Sequence, residues 1–278
     1  MDAALKKQLE ITACRVRIGI IEGVHSAKAG HPGGSLSCAD ILTYLYYKEM
    51  NIDPSNPKMD NRDRFVLSKG HAAPALYAVL AHRGYFDVKE LNSLRQIGSI
   101  LQGHPDMKHI PGVDMSTGSL GQGISAAVGM ALSSKHFGDN YNVYTVLGDG
   151  EIEEGQVWEA AMFAGNKGLS NLTAFVDFNN LQIDGTIGEV NSAEPIDKKF
   201  EAFNWHTIVI DGNDFDQIDA AVNEAKTVDK PVAIIAKTVK GKGVSYMENA
   251  VNWHGAAPND ELYEQAITEL NAALKAMQ

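Results

Sequence analysis

Cysteine is scarce: the 278 residues contain only Cys14 and Cys38. The two have neither C-x-x-C nor metal-site spacing, so a disulfide framework and a thiolate metal centre are excluded, and both read as reduced structural thiols. No apolar run approaches the roughly 18 residues that a membrane span needs. The opening MDAALKKQLE lacks the apolar core of a signal peptide, so the expected location is the cytoplasm, with no membrane partner. Positive charge is also in deficit. Twenty-four Lys and Arg against 35 Asp and Glu leave a net charge of −11, which argues against nucleic acid or anionic lipid as a partner. There is no internal repeat and no low-complexity segment. The Gly-rich GSLGQG at 118–123 is not a G-x-G-x-x-G dinucleotide loop and follows no obvious strand.

Core-forming residues are ample, with 44% of the chain hydrophobic, enough for one large α/β domain or two small ones. The chain is organised around residues 148–185, GDGEIEEGQVWEAAMFAGNKGLSNLTAFVDFNNLQIDG. An apolar run at 141–147 predicts a buried strand, Gly148-Asp149-Gly150 a sharp turn, 154–167 a helix with Val157, Ala160, Ala161 and Ala164 on one face, and 172–178 a second strand. A parallel strand–helix–strand unit brings both strand ends to one edge of the sheet, so Asp149 and Asn179 are expected to meet there. A carboxylate, an amide oxygen and nearby backbone carbonyls make an all-oxygen set suited to Mg²⁺ or Ca²⁺. Gly148 and Gly150 allow close approach to an anion in front of a helix N-terminus. The predicted ligand is a metal-bridged diphosphate.

The rest of the chain is expected to feed the same edge. Residues 2–28 predict a helix. Residues 30–37, GHPGGSLS, predict an irregular loop carrying His31, with a helix starting near Ser37. A short strand at 64–68 precedes Gly70 and His71 and a helix reaching about Arg83. A His at a helix N-terminus can hydrogen-bond a phosphate with its neutral ring. A second GHP places His104 in another loop, where imidazole suits both acid and base roles. GSLGQG leads into a helix through Ile124, Val128 and Leu132. Glu153 reads as a solvated complement to the next helix dipole. Residues 186–204 predict irregular chain, 206–211 and 232–238 strands, 215–228 and 260–277 helices. The loop between the 232–238 strand and the 260–277 helix holds Lys240, Lys242 and His254, and basic side chains in loops are mostly solvated.

GDG at one strand end with NN at the next resembles the metal and diphosphate motif of thiamine diphosphate enzymes. GHPGG, SKGHA, the second GHP, GSLGQG and WHGAAP, in this order, resemble transketolases over residues 10 to 270 or so. The resemblance implies a doubly wound, mostly parallel sheet flanked by helices, with residues 1–278 forming a single diphosphate-binding domain. It implies thiamine diphosphate and Mg²⁺ (or Ca²⁺ or Mn²⁺) as cofactors, and transfer of a two-carbon ketol unit between phosphorylated sugars, as in the pentose phosphate pathway. By the same match, Asp149, Asn179 and the Leu181 carbonyl hold the metal. His71, Gly118, Leu120, Gly150, Asn179 and His254 contact the cofactor, while His31 and His104 lie at the reacting end of the sugar. Glu154 pairs with a glutamate of a pyrimidine-binding domain. Lys69 stands where many family members have Asn, and Ser119 where they have Pro. A C-terminal partner subunit carrying the pyrimidine-binding and C-terminal domains is expected, with self-association into a heterotetramer. A 1-deoxy-D-xylulose 5-phosphate synthase-like enzyme, or a transketolase for an unusual sugar, is the alternative.

Overall fold

The structure, a computed structural model, describes residues 1–278. Helix α1 (Ala3–Ala27) starts where the Asp2 carboxylate accepts the N–H groups of Ala4 and Leu5, both at 3.1 Å. It ends at Lys28 in the left-handed conformation, φ 50°. The irregular loop expected over 30–37 instead contains a short helix, α2 (Pro32–Ser37), followed after Cys38 by α3 (Ala39–Tyr44). Pro32 takes the first helical position, where its missing N–H has no intrahelical partner to lose. Gly33 lets the backbone pack tightly, since a Cβ there would lie 2.8 Å from the Trp253 carbonyl oxygen.

The order continues with β1 (Arg64–Leu67), α4 (Ala73–Arg83), α5 (Gln122–Phe137), β2 (Val143–Gly148), α6 (Gly155–Asn166) and β3 (Leu172–Phe178). Then come α7 (Ile187–Val190), α8 (Ile196–Ala202), β4 (His206–Asp211), α9 (Phe215–Ala225), β5 (Val232–Lys237) and α10 (Asp260–Met277). The expectation of irregular chain over 186–204 is corrected by α7 and α8. A capping box between Thr186 and Glu189 starts α7, and α8 forms because Ile196 and Phe200 bury one apolar edge.

The five strands form one sheet, order β1-β2-β3-β5-β4, and every neighbouring pair is parallel. Alternate residues sort to opposite faces, as the two-residue strand period requires. Phe65, Leu67, Tyr144, Val146, Phe175, Ile234 and Ala236 join a core under α1, α3, α4, α9 and α10. Val66, Val143, Leu147, Ala174, Val176, Ala233 and Ile235 join a second core under α5, α6 and α8. Each fully buried Val, Leu, Ile or Phe among them contributes about 1.5–3 kcal/mol. The chain steps one way through β1, β2, β3 and on to β4 with crossover helices α5, α6 and α8 on the second face. It then steps back to β5 with α9 on the first face, as a constant crossover hand demands. All strands therefore end at one edge, where their loops converge. No helix is long and apolar enough to cross a membrane.

Candidate functional site at the carboxyl edge

The converging loops enclose a cavity of about 550 Å³. His31, His71, Gly118, Leu120, Asp149, Gly150, Glu154, Asn179, Leu181 and His254 all line it. Among the residues expected at the site, only His104 is not in the wall. It stands exposed behind Gly118, where a Cβ would come within 2.9 Å of its ring. Residues that sequence reasoning does not place at the site also line the cavity, among them Lys69, Glu151, Glu153, Gln182 and Lys240.

Asp149 leaves the end of β2 and is 3% exposed. It accepts the Gly150 N–H at 3.0 Å and the Asn180 N–H, so it ties its own turn to the loop after β3. Burial, and then the nearby Asp177 carboxylate, push Asp149 up to about 7. Asn179 Oδ1 accepts the Leu181 N–H at 3.2 Å, and the Leu181 carbonyl accepts Lys240 Nζ at 2.9 Å. No group of three His, Cys, Asp or Glu forms a metal cage. One desolvated carboxylate, one amide oxygen and one peptide oxygen that already draws a cation fit instead a hard divalent ion completing its shell from a diphosphate.

His31, His71 and His254 come from three different loops and pack ring against ring. Centroids lie 5.3 Å apart for His31 and His71, 5.7 Å for His31 and His254, and 5.2 Å for the stacked pair His71 and His254. Burial dominates their titration, with Lys240 and neighbouring cations adding to it. His31 is lowered to about 4, His254 to about 3, and His71 well below the ordinary value. The rings are therefore neutral near pH 7, each with one N–H to give and one nitrogen to accept. His254 Nδ1 meets Lys240 Nζ at 2.9 Å, and His31 Nδ1 is buried without a partner. These depressed values carry a sign. The unfolded chain takes up protons below about 6.5 before the folded one does, so stability falls with pH over that range. Between pH 7 and 5, urea unfolding should show the wild-type chain losing roughly 1–2 kcal/mol more than a His31→Asn, His254→Asn double variant, a figure set below the full linkage value because both rings are partly solvated. Parallel losses in the two proteins would remove the ring cluster as the cause.

One buried carboxylate ties several of these loops together. Asp177, in β3, accepts Ser37 Oγ at 2.6 Å, Asn179 Nδ2 at 3.3 Å, the Lys69 ammonium and the Thr238 hydroxyl. Lys69 is 1% exposed and also donates to the Gly34 carbonyl at 2.9 Å. Burial works against its charge, yet Asp177 holds Lys69 above the ordinary lysine value. Lys240 is 1% exposed and lowered to about 8 by burial and by Lys69, so it is no solvated loop lysine, whereas Lys242 remains exposed. Glu153 differs from its expected solvated role as well. It lines the cavity and accepts Gln182 Nε2 at 2.9 Å. Glu154 caps α6 and is exposed on the cavity wall with no side-chain partner in this chain.

One clue to Asp177 is present in the sequence: it is the only charged residue in the apolar strand LTAFVDF, two positions before Asn179. Lys69 and Lys240 carry no comparable signal, because a lysine next to glycine reads as solvent-exposed until the packing around it is known.

Residues 8–274 match the family described as transketolase, thiamine diphosphate binding domain. The chain is 48% identical over 251 residues to the 6-deoxy-6-sulfo-D-fructose transketolase subunit SqwG of a Clostridium species, covering 90% of this chain and 91% of that one. It is 41% identical over 274 residues to an apulose-4-phosphate transketolase subunit of Phocaeicola vulgatus, covering 97% and 96%. The mouse transketolase is 43% identical over 270 residues, but there the match covers 97% of this chain and 43% of the relative. The crystal structure of transketolase from Campylobacter jejuni superposes with a TM-score of 0.90 at 33% identity, covering 100% of this chain and 46% of that one. The chain thus spans nearly all of two relatives named as subunits and under half of the mouse and Campylobacter jejuni transketolases.

Proposed function

The chain belongs to the transketolase thiamine diphosphate-binding family, and from that premise we propose that it is the diphosphate-binding subunit of a two-chain transketolase. The single observation that carries this reading is the cavity where Asp149, Asn179 and Leu181 present oxygens beside three neutral histidines. When bound, the thiazolium of thiamine diphosphate supplies the carbanion chemistry that moves a two-carbon ketol unit.

The chain's own residues do the rest. Asp149, the Asn179 amide oxygen and the Leu181 carbonyl hold the divalent ion, which we take to be Mg²⁺. The Gly150 N–H and the neutral rings of His71 and His254 bind the diphosphate. Gly118 and Leu120 form a wall against the cofactor rings. His31 and His104 orient the sugar and move protons at its carbonyl and hydroxyl oxygens. Glu154, free on the wall, is left to pair with a carboxyl group of the partner subunit. The two-chain arrangement is supported by the near-complete match to two relatives named as transketolase subunits. We assign it a pyrimidine-binding partner, two copies of each chain, and a cytoplasmic location. The domain assignment is one diphosphate-binding domain over 1–278.

The test is reconstitution. The purified chain alone should show no ketol transfer, and transfer should appear when the separately encoded partner, thiamine diphosphate and Mg²⁺ are added. Relatives named for 6-deoxy-6-sulfo-D-fructose and apulose 4-phosphate set the donor panel, which must include those sugars beside xylulose 5-phosphate. Full turnover by the isolated chain would overturn the two-chain reading. In the reconstituted enzyme, His104→Ala should lower turnover by about 10²-fold and leave cofactor affinity nearly unchanged, the pattern of a general acid/base outside the diphosphate pocket. An equal collapse of cofactor affinity would make His104 a cofactor ligand instead.

A further inference from the structure

The Glu151 side chain hydrogen-bonds the loop after β1 and the loop before α5 to its own turn after β2. It sits in the 3₁₀ turn Glu151–Glu153 just after the GDG turn and is 2% exposed. One carboxylate oxygen accepts the Ser68 hydroxyl and, at 3.0 Å, the Gly121 N–H. The other accepts the Gly148 N–H at 3.0 Å. Ser68 follows β1, Gly121 caps α5 and Gly148 ends β2. Each donor adjoins a cavity-lining group: Lys69 after Ser68, Leu120 before Gly121, and Asp149 after Gly148. Gly121 is also wedged against Glu154, since a Cβ on it would lie 2.9 Å from the Glu154 Cβ. The spacing between the Leu120 wall and the Asp149 floor thus depends on two oxygens of one side chain.

We propose that Glu151 is a positioning residue of this cavity: its carboxylate fixes the distance between the loops after β1 and β2 and the loop before α5, and so shapes the diphosphate pocket without touching the reacting atoms. The proposal rests on the diphosphate reading above, and its test separates the two. In Glu151→Gln the side chain keeps one acceptor oxygen and gains an NH₂ that must face a donor, so whichever way the amide turns, the Gly121 or the Gly148 N–H loses its acceptor.

In the cofactor-free full chain, hydrogen exchange at the affected glycine should quicken by about 10-fold or more, while the β3 amides stay protected. Binding of inorganic pyrophosphate with Mg²⁺ should weaken by about 10-fold or more. Ser68→Ala, which removes only a hydroxyl, should fold normally and weaken pyrophosphate by roughly 2- to 10-fold. Unchanged exchange at both glycines, unchanged pyrophosphate affinity in either variant, or lost protection throughout β3 in Glu151→Gln would each overturn the positioning role, the last by making Glu151 a support of the whole sheet. Failure of the wild-type chain to bind pyrophosphate would count against the diphosphate reading, and the exchange experiment would still decide the role of Glu151.

Discussion

Replacing Lys69 with Met is expected to destabilise the chain by about 3–5 kcal/mol, because it leaves the fully buried Asp177 carboxylate without its only cation. Ser37, Thr238 and Asn179 would still donate to that carboxylate, which keeps the loss within this range. The cost lies mainly in the abandoned charge, so converting Asp177 to Asn in the same protein should recover a large part of it. Urea unfolding of the wild type, Lys69→Met and the double variant measures both quantities. A loss below about 1 kcal/mol in Lys69→Met would show that the three neutral donors suffice, and that the ion pair is not what holds the loop after β1 against β3. Because Ser37, Asn179, Thr238 and Lys69 come from α2 and from the loops after β3, β5 and β1, the destabilised variant should also bind pyrophosphate less tightly than the double variant does.

Asp149→Ala is expected to abolish the Mg²⁺-dependent stabilisation of the reconstituted enzyme by thiamine diphosphate. At cofactor concentrations of 100 times the dissociation constant, the wild type should gain about 2.7 kcal/mol, and the variant close to none. The substitution removes the only carboxylate among the proposed metal donors. It also releases the Asn180 and Gly150 N–H groups that Asp149 holds, so the loop after β3 loses its tie to the GDG turn. Without ligand the variant should be no less stable than about 1 kcal/mol below the wild type, since deleting a carboxylate whose charge burial already disfavours also removes its desolvation cost. A thermal shift with Mg²⁺ and thiamine diphosphate, compared with each alone, reads the outcome. Undiminished stabilisation in the variant would take Asp149 out of the metal site.

The elements legible in the sequence share one physical property: their side chains are governed by a local period. The strand over residues 172–178 is delimited by its sequence as it stands in the fold, Leu172–Phe178, and 206–211 likewise, because short runs rich in β-branched and apolar residues, bounded by turn residues, have few other ways to be satisfied. The meeting of Asp149 and the loop after Asn179 follows from the parallel strand–helix–strand unit, which fixes where two turns must lie without any knowledge of the rest of the chain. The failures are of a different kind. Residues 30–37 read as irregular because glycine and proline disfavour a helix interior, yet Pro32–Ser37 form α2. That segment is helical since Pro32 sits at its first position and its backbone is pressed against the Trp253 carbonyl, a contact more than 200 residues away in sequence.

By itself the sequence determined the alternation of strands and helices, the edge where the loops gather, and the oxygen and imidazole chemistry assembled there. Those depend on residue type and on spacing along the chain, which short-range sterics and hydrophobic periodicity translate directly. Only the tertiary structure decided which charges are buried. Glu151, Lys69 and Lys240 look in sequence like any polar residues near glycines, and Asp177 stands out only as the one charge in an apolar strand. Their roles arise because chain segments far apart in sequence close over them and withdraw the water that would otherwise solvate each charge alone. Once desolvated, each charge has to be satisfied by whatever donors or opposite charges the fold brings within reach, and that pairing is a property of the packed loops rather than of any one of them.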